Sequence, residues 1–410
     1  MIRHVFTMVW RRKRASTMIL VELLVCFLVL SVLFAQGLYL LFNYMEPAGF
    51  AAEDVWLVTY TGCPRLESDT EERRAGQGRA LALLAAAREL PGTRVAAYAS
   101  NTPYSFTSIM NSVWIDGRQE RMLMTPVMPE VREVLGLELV AGRWLEPGDE
   151  VREEIPTVIT RQLAADLWPG EDPVGRLMPH FGDNGEIVEP EADADIYRVV
   201  GVLKAYKRDD PFAASEYASF VPFPVEDPEY WLFPQWLLVR GQPGAGAVYE
   251  RDLLAALDAV EPGWEYEANY LPDMRAGKVR QRMQPMAVGW VVAAFLLLMV
   301  ALGLVGVLWQ SLIRRTSELG LRRALGASAA GVQRQILGEL LALTSLAVLV
   351  GTAIFVQGPI LGVAAFVPWH VHGLALTMAA ALIGLIVVIS GLVPSWLATK
   401  IQPARALQYE

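Results

Sequence analysis

Four uninterrupted apolar stretches divide the chain. MILVELLVCFLVLSVLFAQGLYLLF fills residues 18–42, and MAVGWVVAAFLLLMVALGLVGVLWQSLI fills 286–313 without a charge. Residues 336–367 carry one acid, Glu339, and GLALTMAAALIGLIVVISGLVPSWL at 373–397 carries none. A helix needs about 20 apolar residues to cross a hydrocarbon core ~30 Å thick, so each stretch predicts a membrane-spanning helix. The first is too long for the apolar region of a secretory signal and no small-residue cleavage site follows it, so it reads as an uncleaved anchor. Glu22 lies about one turn inside it, where a charge is costly and needs a partner or the interface. Gly303, Gly306, Gly351, Gly384 and Gly391 would let helices approach closely.

Between the first two spans the pattern changes. VWLVTY (55–60), TRVAAYAS (93–100), SVWIDG (112–117), PTVIT (156–160), YRVVGVL (197–203) and WLLVRG (236–241) read as short strands. Residues 70–90, ended by Pro91-Gly92, and the stretches 161–168 and 247–260 read as helices. Their irregular alternation predicts an α+β domain, and the acidic stretch between 179 and 195 reads as a loop. The expected fold class is an α-helical membrane protein with four transmembrane helices and an α+β domain between spans one and two. Its expected segments are a tail (1–17), span one (18–42), the domain (43–285), span two (286–313), a connecting segment (314–335), span three (336–367), span four (373–397) and a second tail (398–410).

Charge sharpens this picture. The chain of 410 residues has a net charge of −9, 53% apolar residues and a mean hydropathy of +0.32. Residues 1–42 are net +4 and 286–410 are also net +4, which leaves −17 on 43–285. Basic residues cluster at Arg3, Arg11, Arg12, Lys13 and Arg14, at Arg314, Arg315, Arg322, Arg323 and Arg334, and at Lys400 and Arg405. Short basic flanks stay in the cytoplasm, so both termini and the 314–335 segment are expected inside and the acidic domain outside. A domain at −17 disfavours nucleic acid as a partner. Cys26 lies in an apolar run and Cys63 in the acidic block, so an internal disulfide is not expected.

No catalytic constellation emerges. The sequence lacks G-x-x-x-x-G-K-[ST], G-x-S-x-G and H-E-x-x-H, so no nucleotide cradle, nucleophile elbow or zinc-protease helix is expected. His370 and His372 are two nominal metal ligands without a nearby third, and read as polar residues of a short external loop. Met122, Met124 and Met128 could suit a soft metal, but flexible core filling is the commoner use of methionine. Asp209-Asp210 and Glu153-Glu154 read as solvated loop charge. Tyr230, Trp231, Phe233 and Trp236 read as core packing, with a hydrophobic docking surface as the alternative. No catalytic, cofactor-binding or metal-binding residue is assigned, and the chain is not expected to be an enzyme.

The basic segment between spans two and three carries the most specific signal. In ELGLRRALGASAAGVQRQIL (318–337), Glu318 precedes Arg322 at i, i+4 in the favourable order. Gly326 is placed to end a short helix and Ser328 to cap the next. ELGLRRALGAS (318–328) resembles the cytoplasmic signature of FtsX-like ABC permeases, roughly E-x-G-x-R-[RK]-A-x-G-A, and PSWLATKIQPARALQ (394–408) resembles their closing motif. AGRWLEPGDE (141–150), VITRQLAADLWPGEDPVGR (158–176) and YRVVGVLK (197–204) resemble the periplasmic core domain of MacB-type permeases. The resemblance implies a coupling helix, formed by Glu318, Gly320, Arg322, Arg323, Ala324, Gly326 and Ala327, that docks on a separate ATPase subunit. It implies a bacterial inner-membrane protein with the large domain in the periplasm, paired with a second permease as a homo- or heterodimer. No fused ATPase is visible, so hydrolysis would be supplied in trans. Export or extraction of an antimicrobial, peptide or lipid-like substrate is one expectation, with a periplasmic adaptor as an optional partner. Activation of an external partner such as a cell-wall hydrolase, or sensing without an ATPase, are the alternatives.

Overall fold

The computed structural model describes residues 13–62, 69–105, 109–149, 154–181, 186–189, 195–227, 229–314, 328–364 and 366–399. The chain divides into two compact units, one of Met1–Phe42 with Arg282–Glu410 and the other of Asn43–Gln281.

The first unit is helical. Helix α1 (Lys13–Met45) holds the first apolar stretch. The second stretch falls in α6 (Leu271–Arg314), the third in α7 (Ala329–Ile360) and the fourth in α8 (Trp369–Thr399). All four helices are long and apolar enough to cross a membrane. Ile19, Leu23, Phe27, Leu30, Val300, Leu304, Ala347 and Ile383 are among their shared buried residues. Small residues set the closest approaches. A Cβ at Gly351 would lie 2.4 Å from the Phe27 ring, and one at Gly303 would lie 3.0 Å from the Glu22 carboxylate. Gly306 and Gly384 have open space beside them, so they play no such part. The third helix ends at Ile360 instead of reaching 367, because Pro359 and the left-handed Gly362 close its last turn. The histidines lie on α8 and not in a loop: His372 is buried between the Phe355 and Trp369 rings, whereas His370 is exposed and lies nearest Phe42.

The second unit is α+β and contains β1 (Val55–Thr61), α2 (Thr70–Glu89), β2 (Thr93–Tyr98), β3 (Met110–Ile115), β4 (Arg118–Val127), α3 (Val131–Leu135) and β5 (Leu139–Gly142). It continues through β6 (Ile155–Thr160), α4 (Arg161–Leu167), β7 (His180–Phe181), β8 (Ile187–Val188), β9 (Tyr197–Leu203), β10 (Ala218–Pro222), β11 (Trp236–Gly241), α5 (Ala247–Val260) and β12 (Glu265–Tyr270). An antiparallel sheet runs β12-β1-β11-β2, and a mixed one runs β3-β4-β10-β6-β9-β5. Strand β1 is apolar on both faces because both are covered. Val55 and Leu57 face a core shared with Leu123, Val158 and Phe220 of the second sheet. Trp56 and Val58 face Leu83, Leu84, Leu253 and Leu257 of α2 and α5. The far side of the second sheet packs on Leu163 and Ala164 of α4.

Several elements depart from the pattern-based expectation. Residues 112–117 are not one strand, because Asp116 and Gly117, both at positive φ, make the two-residue turn of the β3–β4 hairpin. The stretch between 179 and 195 is not wholly a loop, since His180–Phe181 pairs with Ile187–Val188. Strand β12 alternates polar residues with Tyr266, Ala268 and Tyr270 but is not among the expected strands, and residues 271–285 of α6 are too polar to signal a helix by periodicity.

The motif AGRWLEPGDE folds back on itself through residues 141–149. Arg143 forms a two-toothed ion pair with the buried Asp149 at 2.7 and 3.0 Å, and Asp149 also accepts from the Glu146 amide at 2.9 Å. The Trp144 indole donates to the Pro129 carbonyl at 2.8 Å. The motif is therefore a structural corner. Gly142 holds φ +69 with β9 so close that a Cβ would stand 2.1 Å from the Val200 oxygen. Gly148 also has positive φ but open space around it. Gly142→Ala is expected to cost about 3 kcal/mol through strain and clash, and Gly148→Ala only about 1 kcal/mol. Thermal unfolding of the two full-length variants checks this, and equal losses would contradict it.

Candidate functional site

The residues expected to form the coupling helix, Glu318, Gly320, Arg322, Arg323, Ala324, Gly326 and Ala327, lie outside the described residues, as does Cys63. What is described is how the chain leads up to and away from them. Helix α6 ends at Arg314. Ser328 caps α7, its hydroxyl accepting from the Gly331 amide at 3.1 Å, as the sequence suggested.

A second cluster, not singled out from sequence, lies inside the Asn43–Gln281 unit. It gathers the last turn of α1 with the residues just after it, the loop 204–217 between β9 and β10, the turn at 101–105 and the start of α6. Lys207 is 1% exposed, and its ammonium donates to the Asn43 carbonyl at 2.6 Å and stands 3.3 Å from Glu46. Burial pulls the Lys207 pKa down while Glu46 pulls it back up. Arg208 is 2% exposed, pairs with Asp209 and reaches Asn101 Oδ1 at 3.3 Å. The Arg208 carbonyl accepts from the Tyr104 amide at 2.8 Å, and the Tyr206 hydroxyl donates to the Asn101 carbonyl at 3.0 Å. Tyr44 stacks on Phe212 at 5.2 Å, and the Arg275 guanidinium lies 5.5 Å from its ring. Gly49, at φ +87, passes so near this loop that a Cβ would be 1.9 Å from the Ala205 oxygen.

The local sequence explains the arrangement. Strand β9 ends in an apolar run, and YKRDDP follows after Lys204 and Ala205, so Lys207 and Arg208 enter the interior behind the strand. Asp209 and Asp210 are thus not free loop charge: Asp209 holds Arg208, and Asp210 accepts from the Phe212 amide at 2.9 Å. Of Glu153-Glu154, the first lies outside the described residues. The second grips Arg198 across to β9, one of its contacts measuring 2.6 Å, and that ion pair lowers the Glu154 pKa. Four adjacent charges after a strand were the available signal, but nothing in their order says that two cations are buried.

Glu216 completes the cluster. Its carboxylate accepts from the Asp209 amide at 3.2 Å, and burial pushes its pKa up to about 7, with Arg208 opposing. A carboxyl whose pKa is raised by folding adds stability that is complete below the unfolded value of 4.5 and is lost as pH climbs through about 7. Glu216→Gln keeps the acceptor and removes the charge. It should stabilise the fold at pH 8 by on the order of 1–3 kcal/mol, seen as a higher melting temperature, and leave it near wild type at pH 4.5. Thermal unfolding at the two values checks this, and a gain independent of pH would contradict it.

The cluster fastens the chain where the first helix passes into the domain. Similarity to known proteins agrees with the two-part organisation. The profile of the MacB-like periplasmic core domain matches residues 15–247, and that of the FtsX-like permease C-terminal region matches residues 290–403. The uncharacterized ABC transporter permease YknZ of Bacillus subtilis (strain 168) is 26% identical over 287 residues, which is 68% of this chain and 67% of YknZ. YvrN, an uncharacterized ABC transporter permease of the same organism, is 35% identical over 109 residues, or 26% of this chain and 27% of its own length. Among solved structures, the periplasmic region of MacB from Actinobacillus actinomycetemcomitans has a TM-score of 0.37 at 12% identity, over 57% of this chain and 96% of that one. The extracellular domain of the ABC-type transporter YknZ from Gram-positive bacteria has a TM-score of 0.32 at 13% identity, over 52% and 99%. The core-domain profile alone covers more than half of the residues and the permease profile follows it in order, so the chain belongs to the family of ABC transporter permeases of the MacB and FtsX type.

Proposed function

We propose that this chain carries ATP-driven motion from a separate cytoplasmic ATPase across the membrane to its external domain, in the export or extraction of a substrate. The observation that carries the reading is α6. From Leu271, immediately after β12, to Arg314, immediately before the segment 315–327, the chain is one helix. Intrahelical hydrogen bonds stiffen such a segment along its axis. A push delivered at residues 318–327 therefore has a helical path toward β12, interrupted only where Pro285 removes one backbone hydrogen bond. The buried Lys207 anchors the chain at the other crossing, just beyond α1.

In this reading both termini and the 314–335 segment face the cytoplasm, because the basic residues flank the spans on that side. Glu318, Arg322 and Arg323 supply polar contacts to the ATPase, Gly320 and Gly326 allow close approach, and Ala324 and Ala327 keep the helix slim. Two permeases, each holding one ATPase, make the working unit. The permease binds no nucleotide of its own, consistent with a sequence that has no phosphate-cradling loop.

Two variants test the reading with the cognate ATPase co-expressed. Arg322→Glu, alone or with Arg323→Glu, should cut ATPase co-purification and permease-stimulated hydrolysis at least about tenfold, the scale expected when a paired interfacial charge is reversed. Insertion of three glycines after Gln281 should leave ATPase recruitment intact and abolish transport. Wild-type recruitment by the charge-reversed chain would overturn the docking assignment, and wild-type transport by the glycine insertion would overturn the role of α6.

A further inference from the structure

A cleft of about 540 Å³ opens on the face of the six-stranded sheet that also carries α4. Its lining crosses five neighbouring strands, β3, β4, β10, β6 and β9, which at normal strand spacing is roughly 19 Å. The floor is formed by two small buried residues, Thr157 and Ser219, whose hydroxyls donate to the Phe220 and Leu123 carbonyls at 3.2 and 3.3 Å. Those hydroxyl protons are therefore already committed. One wall is Val113, Met122 and Met124, and the other is Met178, Phe181 and Tyr197. The Met124 sulfur lies 3.4 Å from the Asn111 amide nitrogen and 3.8 Å from the Tyr197 hydroxyl, which holds it over the floor.

Two properties define what fits. The first is charge. In a block that is net −17, no Lys, Arg, Asp or Glu lines the cleft among the described residues, and Asn111 and His180 supply polar groups at its edge. The nearest carboxylate on the page is Asp195, which accepts from the Tyr197 hydroxyl at 3.2 Å, so the lining itself suits an uncharged ligand. The second is shape. Met122 and Met124 share one face of β4 and Met178 comes from the segment before β7, so the thioethers line the cleft from two elements. Met128 is not among them and instead accepts from the Tyr98 amide at 3.4 Å. The volume falls in the range of small-molecule sites, about 300–1,000 Å³, and methionine walls adapt to irregular apolar shapes. Met110, Leu177 and Ile187, in or beside the elements that line the cleft, are 42%, 45% and 74% exposed.

We propose that this cleft binds an elongated, uncharged amphipathic molecule, its apolar body along the methionine walls and its neutral head at Asn111 and His180. The assignment stands on the Asn43–Gln281 unit alone and goes beyond the permease reading. If the transporter exports, the cleft holds its cargo.

The test uses the full chain in lipid nanodiscs without an ATPase, so its failure and that of the coupling reading are separable. Two diazirine-bearing alkyl glucosides are the probes, an octyl one dissolved in water below its micelle concentration and a hexadecyl one confined to the bilayer. After illumination, labelled residues are mapped by mass spectrometry. Saturable labelling concentrated in residues 109–124 and 178–181 is expected. Asn111→Trp, at an exposed edge position on the Met122 side of β3, should reduce it severalfold. Labelling by the octyl probe assigns the ligand to the aqueous phase, and labelling by the hexadecyl probe alone assigns the same chemistry to a membrane lipid. Labelling scattered over the domain, or unaffected by Asn111→Trp, would overturn the proposal.

Discussion

An ammonium group sealed from water has to be neutralised or fully hydrogen-bonded, and Lys207 meets that demand on the backbone of Asn43 and the carboxylate of Glu46. This constraint ties the last turn of α1 and the residue after it to the loop after β9. With that tie made, Gly49 must pass against Ala205, Tyr44 must lie between Phe212 and Arg275, and Arg208 must turn inward onto Asn101. The segment that leaves the first helix and the start of the helix leading to the second span thus converge on one buried charged loop. A domain that is to be moved by its own chain needs such a fastening, because a loose connection would dissipate displacement as local unfolding.

The membrane part was legible because hydrocarbon leaves the chain little choice. Each span had to be long, apolar and helical, and four such stretches are unmistakable in the sequence. The strands of the doubly covered first sheet were equally plain, since β1 and β11 are apolar on both faces. Elements whose residues are mostly polar escaped. EYEANY of β12 does alternate, with Tyr266, Ala268 and Tyr270 packed on the core that α2 and α5 share, but its apolar positions are only tyrosine and alanine, and residues 271–285 are helical without an apolar stripe. The buried pair Lys207–Arg208 escaped for a related reason. Sequence marks a cation as exposed by default, and only the three-dimensional path of the loop shows where its partners come from.

The motifs that carried the family resemblance divide into two physical kinds. Gly142, Arg143, Trp144 and Asp149 are bound to one another or to neighbouring backbone, so they are kept for the shape of a corner. Arg176 and Arg198 similarly brace the 171–176 turn and β9 through Glu171 and Glu154. The coupling segment, under the function proposed above, is different in kind, its charges serving a partner. The methionines were read as one group on Met122, Met124 and Met128. The structure divides them by strand direction, since residues two apart on β4 share a face while Met128 lies beyond the strand.

The central claim is that nucleotide state in the cytoplasm is read out as movement of the external domain. Double electron–electron resonance measures it directly, with spin labels on a cysteine at the exposed Gln119 in both permeases of the ATPase-bound transporter. Nucleotide trapping should move the inter-label distance distribution by several ångström relative to the nucleotide-free state, while a chain carrying Arg322→Glu and Arg323→Glu should give one distribution under both conditions. Identical distributions for the wild-type transporter with and without trapped nucleotide would contradict the account.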